Sequence, residues 1–142
     1  MSKLTNVEAR ILIEMMKRKV EEQTFTFPEE KGSIVFDVIG DRRSDEFIIN
    51  FHRGGKKFEK MTYQGRLKTK DIVLMRLDIN PTGMHKNPDS DEEIIGSHIH
   101  IYDEKHGDKF AFPFDVNDKN LYELCFTFFE KFNIVDPPQI EE

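Results

Sequence analysis

The run Gly96-Ser97-His98-Ile99-His100-Ile101-Tyr102 holds the side chains best suited to chemistry. Successive side chains of a strand point to opposite faces, so alternation sends Ile99 and Ile101 one way and His98, His100 and Tyr102 the other. Same-face neighbours lie about 7 Å apart, close enough to bracket a phosphate or share a metal ion. Imidazole exchanges a proton near neutral pH and also binds transition metals. His106 follows in the next turn, and His85 stands in the loop before.

If the strands pair in chain order, the same polar face carries Arg66, Arg76 and Asp78. Two proton-transfer groups, two guanidiniums and a phenol are the parts of a metal-independent phosphodiesterase. In that reading His98 and His100 are the catalytic base and acid, Tyr102 orients, and His85 arrives from the loop. Arg76, Arg66 and Asp78 bind substrate. The bland reading is the solvated face of a half-exposed sheet. Two His and two Arg, where Lys, Glu and Thr are usual, favour the chemical one.

Other readings of the same residues fail on spacing. His98-x-His100 with Glu104 matches the first ligand motif of cupins, but residues 107–117 lack the second histidine and the Pro-x-Gly turn. A His-x-His-x-His nucleotide-binding motif would need histidine at Tyr102. Asp89-Ser90-Asp91-Glu92-Glu93 is no EF-hand, whose sixth and twelfth positions would be Ile94 and His100. No metal and no cofactor is expected.

Arg76-Leu77-Asp78, His85-x-Asn87-Pro88-Asp89, Gly96-x-His98-x-His100-x-Tyr102 and Gly107-Asp108-Lys109 together resemble a family of small uncharacterised bacterial and phage proteins with an H-x-N-P-D-G … G-x-H-x-H-x-Y signature. Ser90 departs from it where the signature has glycine. The resemblance spans roughly residues 70 to 114 and implies a prokaryotic or mobile-element setting without an assigned activity.

The elements that must position these residues follow from periodicity. Thr5 and Glu8 form a capping box opening a helix over residues 5–20, with Val7, Ile11, Leu12, Met15 and Met16 as its apolar stripe and Lys17-Arg18-Lys19 in its last turn. Strands are predicted at 33–39 and 46–52 as a hairpin, then at 57–67, 72–80, 97–103 and 109–114. Val73, Met75, Leu77 and Ile79 face the core, and Phe112 is expected there too. Residues 81–96 form a long loop. Asn117 or Asp118 caps a final helix to about Phe132, lined by Leu121, Leu124, Cys125 and Phe128. The fold class expected is α+β: an antiparallel meander of about six strands, with the two terminal helices packed on one face. Residues 1–136 form one domain and residues 137–142 an acidic tail.

Composition bounds the rest. The 142 residues carry a net charge of −6, which argues against broad nonspecific binding to nucleic acid. Thirteen phenylalanines and no tryptophan predict a Phe-built core. The single cysteine, Cys125, makes no internal disulfide, and no apolar run reaches the ~18 residues that span a membrane. The expectation is a cytoplasmic, His-dependent phosphodiesterase or ribonuclease, toxin-like or encoded by a mobile element, with RNA as its partner. The competing expectation is a non-enzymatic interaction module, an inhibitor or antitoxin-like partner in a prokaryotic or phage defence system. It would bind protein through the Phe-rich C-terminal helix (Phe126, Phe128, Phe129, Phe132).

Overall fold

A computed structural model describes residues 3–54 and 59–142. The expected third strand began at Lys57, after a turn including Gly55; both lie outside the described residues. Helix α1 spans Asn6–Glu14 and opens on the expected box, with the Thr5 hydroxyl accepting from the Glu8 amide and the Glu8 carboxylate accepting from the Thr5 amide. It stops at Glu14, six residues short of the expected end at residue 20. Lys17–Lys19 instead forms strand β1, paired on both sides, antiparallel to β3 (Gly32–Ile39) and parallel to β11 (Ile134–Asp136). Three residues without an apolar pattern carry no strand signal, whereas two flanking ladders satisfy their backbone. The buried face of α1 also differs from the expected stripe: Ala9 is buried, whereas Val7, Ile11 and Met16 are exposed.

Among the described residues the main sheet has eight strands rather than about six, in the order β10-β9-β6-β5-β4-β3-β1-β11. Its centre is the expected meander: β3, β4 (Glu46–Arg53), β5 (Met61–Leu67) and β6 (Ile72–Ile79), all antiparallel. β9 (His98–Ile101) pairs with β6, and β10 (Ala111–Pro113) closes the edge. Residues 81–96 are not an irregular loop. They hold a small hairpin of β7 (Met84–Lys86) and β8 (Glu93–Ile95).

Helix α2 spans Leu121–Lys131, and its cap is Asn120, boxed with Glu123. Asn117 and Asp118, expected as caps, sit one turn earlier with φ of +53° and +61°. Phe128, Phe129 and Phe132 meet Phe36, Phe47, Phe51 and Tyr63 of β3, β4 and β5 in edge-on, tilted or stacked ring contacts. Of the four phenylalanines expected to greet a partner, three are therefore core and Phe126 alone is exposed. Gly65 is what lets the helix come so close, since a Cβ there would stand 2.6 Å from the Phe132 ring. Cys125 is buried, and burial pushes its thiol up to about 12. Phe112, expected inside, is 48% exposed on the edge strand.

Residues 137–142 are not a free tail. β12 (Gln139–Glu141) pairs parallel with β2 (Thr24–Thr26), and Ile140 is buried. Among the described residues no helix is long and apolar enough to cross a membrane.

Candidate functional site

Antiparallel pairing of β6 with β9 sets Asp78 opposite His98 and Arg76 opposite His100, while Leu77 opposite Ile99 goes to the core. Alternation thus brings four of the expected residues to one face, as the sequence predicts. That face is not open to solvent. The β7–β8 hairpin folds back over it, and His98 and His100 are 7% and 1% exposed. His85 comes in from the hairpin, its ring 5.0 Å from that of His98 and 4.9 Å from that of His100, which are 4.9 Å apart.

Asn87 fastens the hairpin. Its Oδ1 accepts from the Ala111 amide at 2.7 Å and its Nδ2 donates to the Ala111 carbonyl at 2.8 Å, so it pairs with β10 as another strand would. His85 Nε2 donates to Asn87 Oδ1 and to the Lys109 carbonyl, at 3.0 and 3.1 Å. Gly96, at φ +94°, turns the chain into β9, and its carbonyl accepts from His98 Nδ1 at 3.1 Å.

Asp78 is the electrostatic hub. Its Oδ2 lies 3.3 Å from His100 Nε2, 3.4 Å from His98 Nε2 and 3.2 Å from Arg76 Nε, and its Oδ1 accepts from the Thr62 hydroxyl. Burial alone would raise this carboxyl, but the two imidazoles and the Arg76 charge hold it well below the usual carboxylate range. His98 is shifted upward, chiefly by its contact with Asp78 and against its burial. His85 is shifted downward, first by burial and then by the neighbouring imidazoles. Arg76 is further held by Asp108 at 3.0 Å, and its Nη2 lies 3.1 Å from His100 Nε2.

Two expected residues stand elsewhere. The Tyr102 hydroxyl donates to the Leu4 carbonyl and accepts from the Leu4 amide, and its ring joins the core. Arg66 pairs with Asp71. His106 is held between Asp103 and Asp89, and the backbone of Glu104 bonds Asn6 and Lys3. Asn87, Thr62 and Asp108 join the site without having been singled out as site residues. Asn87 and Asp108 lay within the motifs that carry the resemblance, and alternation along β5 puts Thr62 on the face of Arg66.

A pocket of about 410 Å³ opens where Lys60, Thr62, Arg76, Asp78, Asn80 and His98 meet. A larger cavity, about 990 Å³, is walled mainly by apolar groups such as Phe27, Phe114, Leu121 and Tyr122 and contains no histidine. The smaller one holds the chemistry, because it alone of the two joins imidazole, carboxylate and guanidinium.

Fold and site together define an α+β protein with a roofed imidazole cluster beside a polar pocket. The chain belongs to a family of unknown function, DUF6978, which it matches over residues 4–134. Comparison with curated proteins and with solved structures finds no match.

Proposed function

We propose that this protein is a small His-dependent phosphodiesterase acting on RNA. The observation that carries the reading is the meeting of Arg76, Asp78 and His98 in one pocket, with Lys60 at its edge. Arg76 and Lys60 offset the charge of a phosphate, and the adjoining imidazoles activate the oxygen that attacks phosphorus. RNA fits best because its 2′-hydroxyl is an internal nucleophile: it gives its proton to an imidazole as the 2′-oxygen–phosphorus bond forms, the phosphorus–5′-oxygen bond breaks, and the leaving 5′-oxygen takes a proton from an imidazolium. Asp78 and Asp108 fix the guanidinium in place, while His100, further from solvent, is a positioning group rather than one that meets substrate. The resemblance to a signature of bacterial and phage proteins, and the lone buried Cys125, support a prokaryotic cytoplasm or a mobile element, with a toxin-like role.

Incubation of the purified protein with single-stranded RNA tests this. Wild type is expected to cleave it, while His98→Ala and Arg76→Ala each lose about 10²-fold or more and keep the wild-type circular dichroism spectrum. RNA carrying 2′-deoxyribose at every position resists. Cleavage absent from wild type, or equal in all three proteins, overturns the reading.

A further inference from the structure

We propose that His85, His98 and His100 form a transition-metal site of the zinc(II) class. The inference rests on the same site as the phosphodiesterase reading, with the imidazoles acting through a bound ion in place of direct proton transfer; its test reads binding rather than turnover.

The first observation is convergence. One ligand atom from each imidazole lies within 4.8 Å of the other two. Zinc–nitrogen bonds of about 2.0–2.1 Å put tetrahedral ligand nitrogens about 3.4 Å apart, so shifts of about an ångström among the three rings complete the set.

The second observation is the state of the remaining nitrogens. A carbonyl oxygen only accepts, so His98 Nδ1 and His85 Nε2 must carry the protons given to the carbonyls of Gly96 and Lys109. Asn87 Oδ1, its orientation fixed by Ala111, is likewise an acceptor for His85. In the neutral rings this leaves a lone pair on His98 Nε2 and another on His85 Nδ1. Metal-bound histidines are held in this way, one ring N–H given to a backbone carbonyl or carboxylate and the other nitrogen to the ion.

His98 adds a sharper point. Its Nε2 faces Asp78 Oδ2 at 3.4 Å, an approach that a proton or a metal ion on that nitrogen makes favourable.

His100 makes the third observation. It is 1% exposed, and its Nδ1 is buried with no hydrogen-bond partner. If Nε2 gives its proton to Asp78, Nδ1 holds a lone pair with no donor. If Nε2 accepts from Arg76, the Nδ1 proton has no acceptor. Either tautomer leaves this atom orphaned, at the cost usual for a buried unpaired polar group. A cation on Nδ1 relieves the first tautomer and makes Asp78–His100 a carboxylate–histidine pair behind the ion.

The donor chemistry names the class of ion. Three neutral imidazoles suit zinc and its neighbours, not magnesium or calcium, which take oxygen. Three protein ligands with the pocket beside His98 also match the open zinc sites that leave a fourth position for water or substrate.

Tag-free full-length protein, stripped with chelator and dialysed, is titrated with zinc sulfate by calorimetry. Cobalt(II) absorption then reports coordination geometry. One equivalent of zinc is expected to bind with sub-micromolar Kd, to raise Tm by several degrees, and to give the intense visible bands of tetrahedral cobalt. His85→Ala, a change on the hairpin rather than in the main sheet, is expected to weaken binding at least tenfold, while His106→Ala and Glu104→Gln leave it unchanged. No zinc uptake by wild type overturns the site, as does His85→Ala binding as tightly as wild type. Zinc bound at one equivalent with no RNA cleaved retires the phosphodiesterase and keeps the metal site. Cleavage that persists after chelation with no metal retained does the reverse.

Discussion

Two hydrogen bonds to one backbone unit account for Tyr102. Its hydroxyl donates to the Leu4 carbonyl at 2.9 Å and accepts from the Leu4 amide at 3.0 Å, tying the segment before α1 to the end of β9. Tyr102→Phe strands both Leu4 groups in a buried setting and is expected to cost about 1–3 kcal/mol, read from urea unfolding. RNA cleavage by the folded fraction should stay at the wild-type rate; a large loss of activity without loss of stability would instead make the phenol part of the site. The residue shows what alternation can and cannot convey. His98, Ile99 and His100 were legible because they lie inside a regular strand, where period two fixes the faces. Tyr102 lies just past the last strand residue, Ile101, where that period no longer governs the side chain. Arg66 is a different case: it keeps its face in β5, but it pairs with Ile48 and Val73, several residues along the ladder from Asp78, and its guanidinium meets Asp71 instead.

At the scale of elements, the hairpin of β7 and β8 turns an ordinary sheet face into an enclosed site. Its strands have three residues each, too few for alternation to stand out, so the sequence reads as loop although it is ordered. Asn87 is the fastening. Asn87→Ala removes both bonds to Ala111 and leaves a buried amide and carbonyl unpaired, which is expected to cost about 1–3 kcal/mol. The change should appear locally first, as faster amide hydrogen exchange across Met84–Ile95 with β3 to β6 unaffected. Zinc affinity should fall with it, because His85 is carried by the same hairpin. Uniform exchange across the sheet would show that the hairpin and the core open together. On the opposite face the same reasoning concerns Gly65. Gly65→Ala drives a methyl into the Phe132 ring and is expected to destabilise by about 1–3 kcal/mol, with no direct effect on the histidine face.

The whole molecule is closed by its two ends. β1 is inserted between β3 and β11, β12 lies along β2, and at that seam the Lys17 ammonium is fully buried. It donates to the carbonyls of Ile13, Met15 and Phe132 and lies 4.0 Å from the centre of the Phe132 ring. Those carbonyls come from the ends of both helices, so one side chain joins α1 to α2. A basic triplet near a helix end looks in sequence like a solvated last turn, because the carbonyls that draw Lys17 inward come partly from 115 residues away. Burial pushes this ammonium from 10.5 down to about 7, against a smaller opposing pull from Asp41. The sign of the linkage follows. Between those values the unfolded chain holds the Lys17 proton and the folded chain has released it, so unfolding takes up a proton and stability rises with pH. Above about pH 9 the effect is opposed by Cys125 and Tyr63, whose burial raises their folded values above the unfolded 9.0 and 10.0 and so removes stability as pH climbs. The upward-shifted His98 also removes stability just above pH 6.5, in wild type and Lys17 variants alike, so the usable reading is the difference between them from pH 7 to 9. Over that range the Lys17 contribution read by urea unfolding is expected to increase stability by about 1 kcal/mol per pH unit. Lys17→Met removes the titrating group and should flatten that slope, even though the three orphaned carbonyls make the variant less stable at every pH. An equal slope in wild type and variant would assign the linkage to another group and leave Lys17 charged in the folded protein throughout the range.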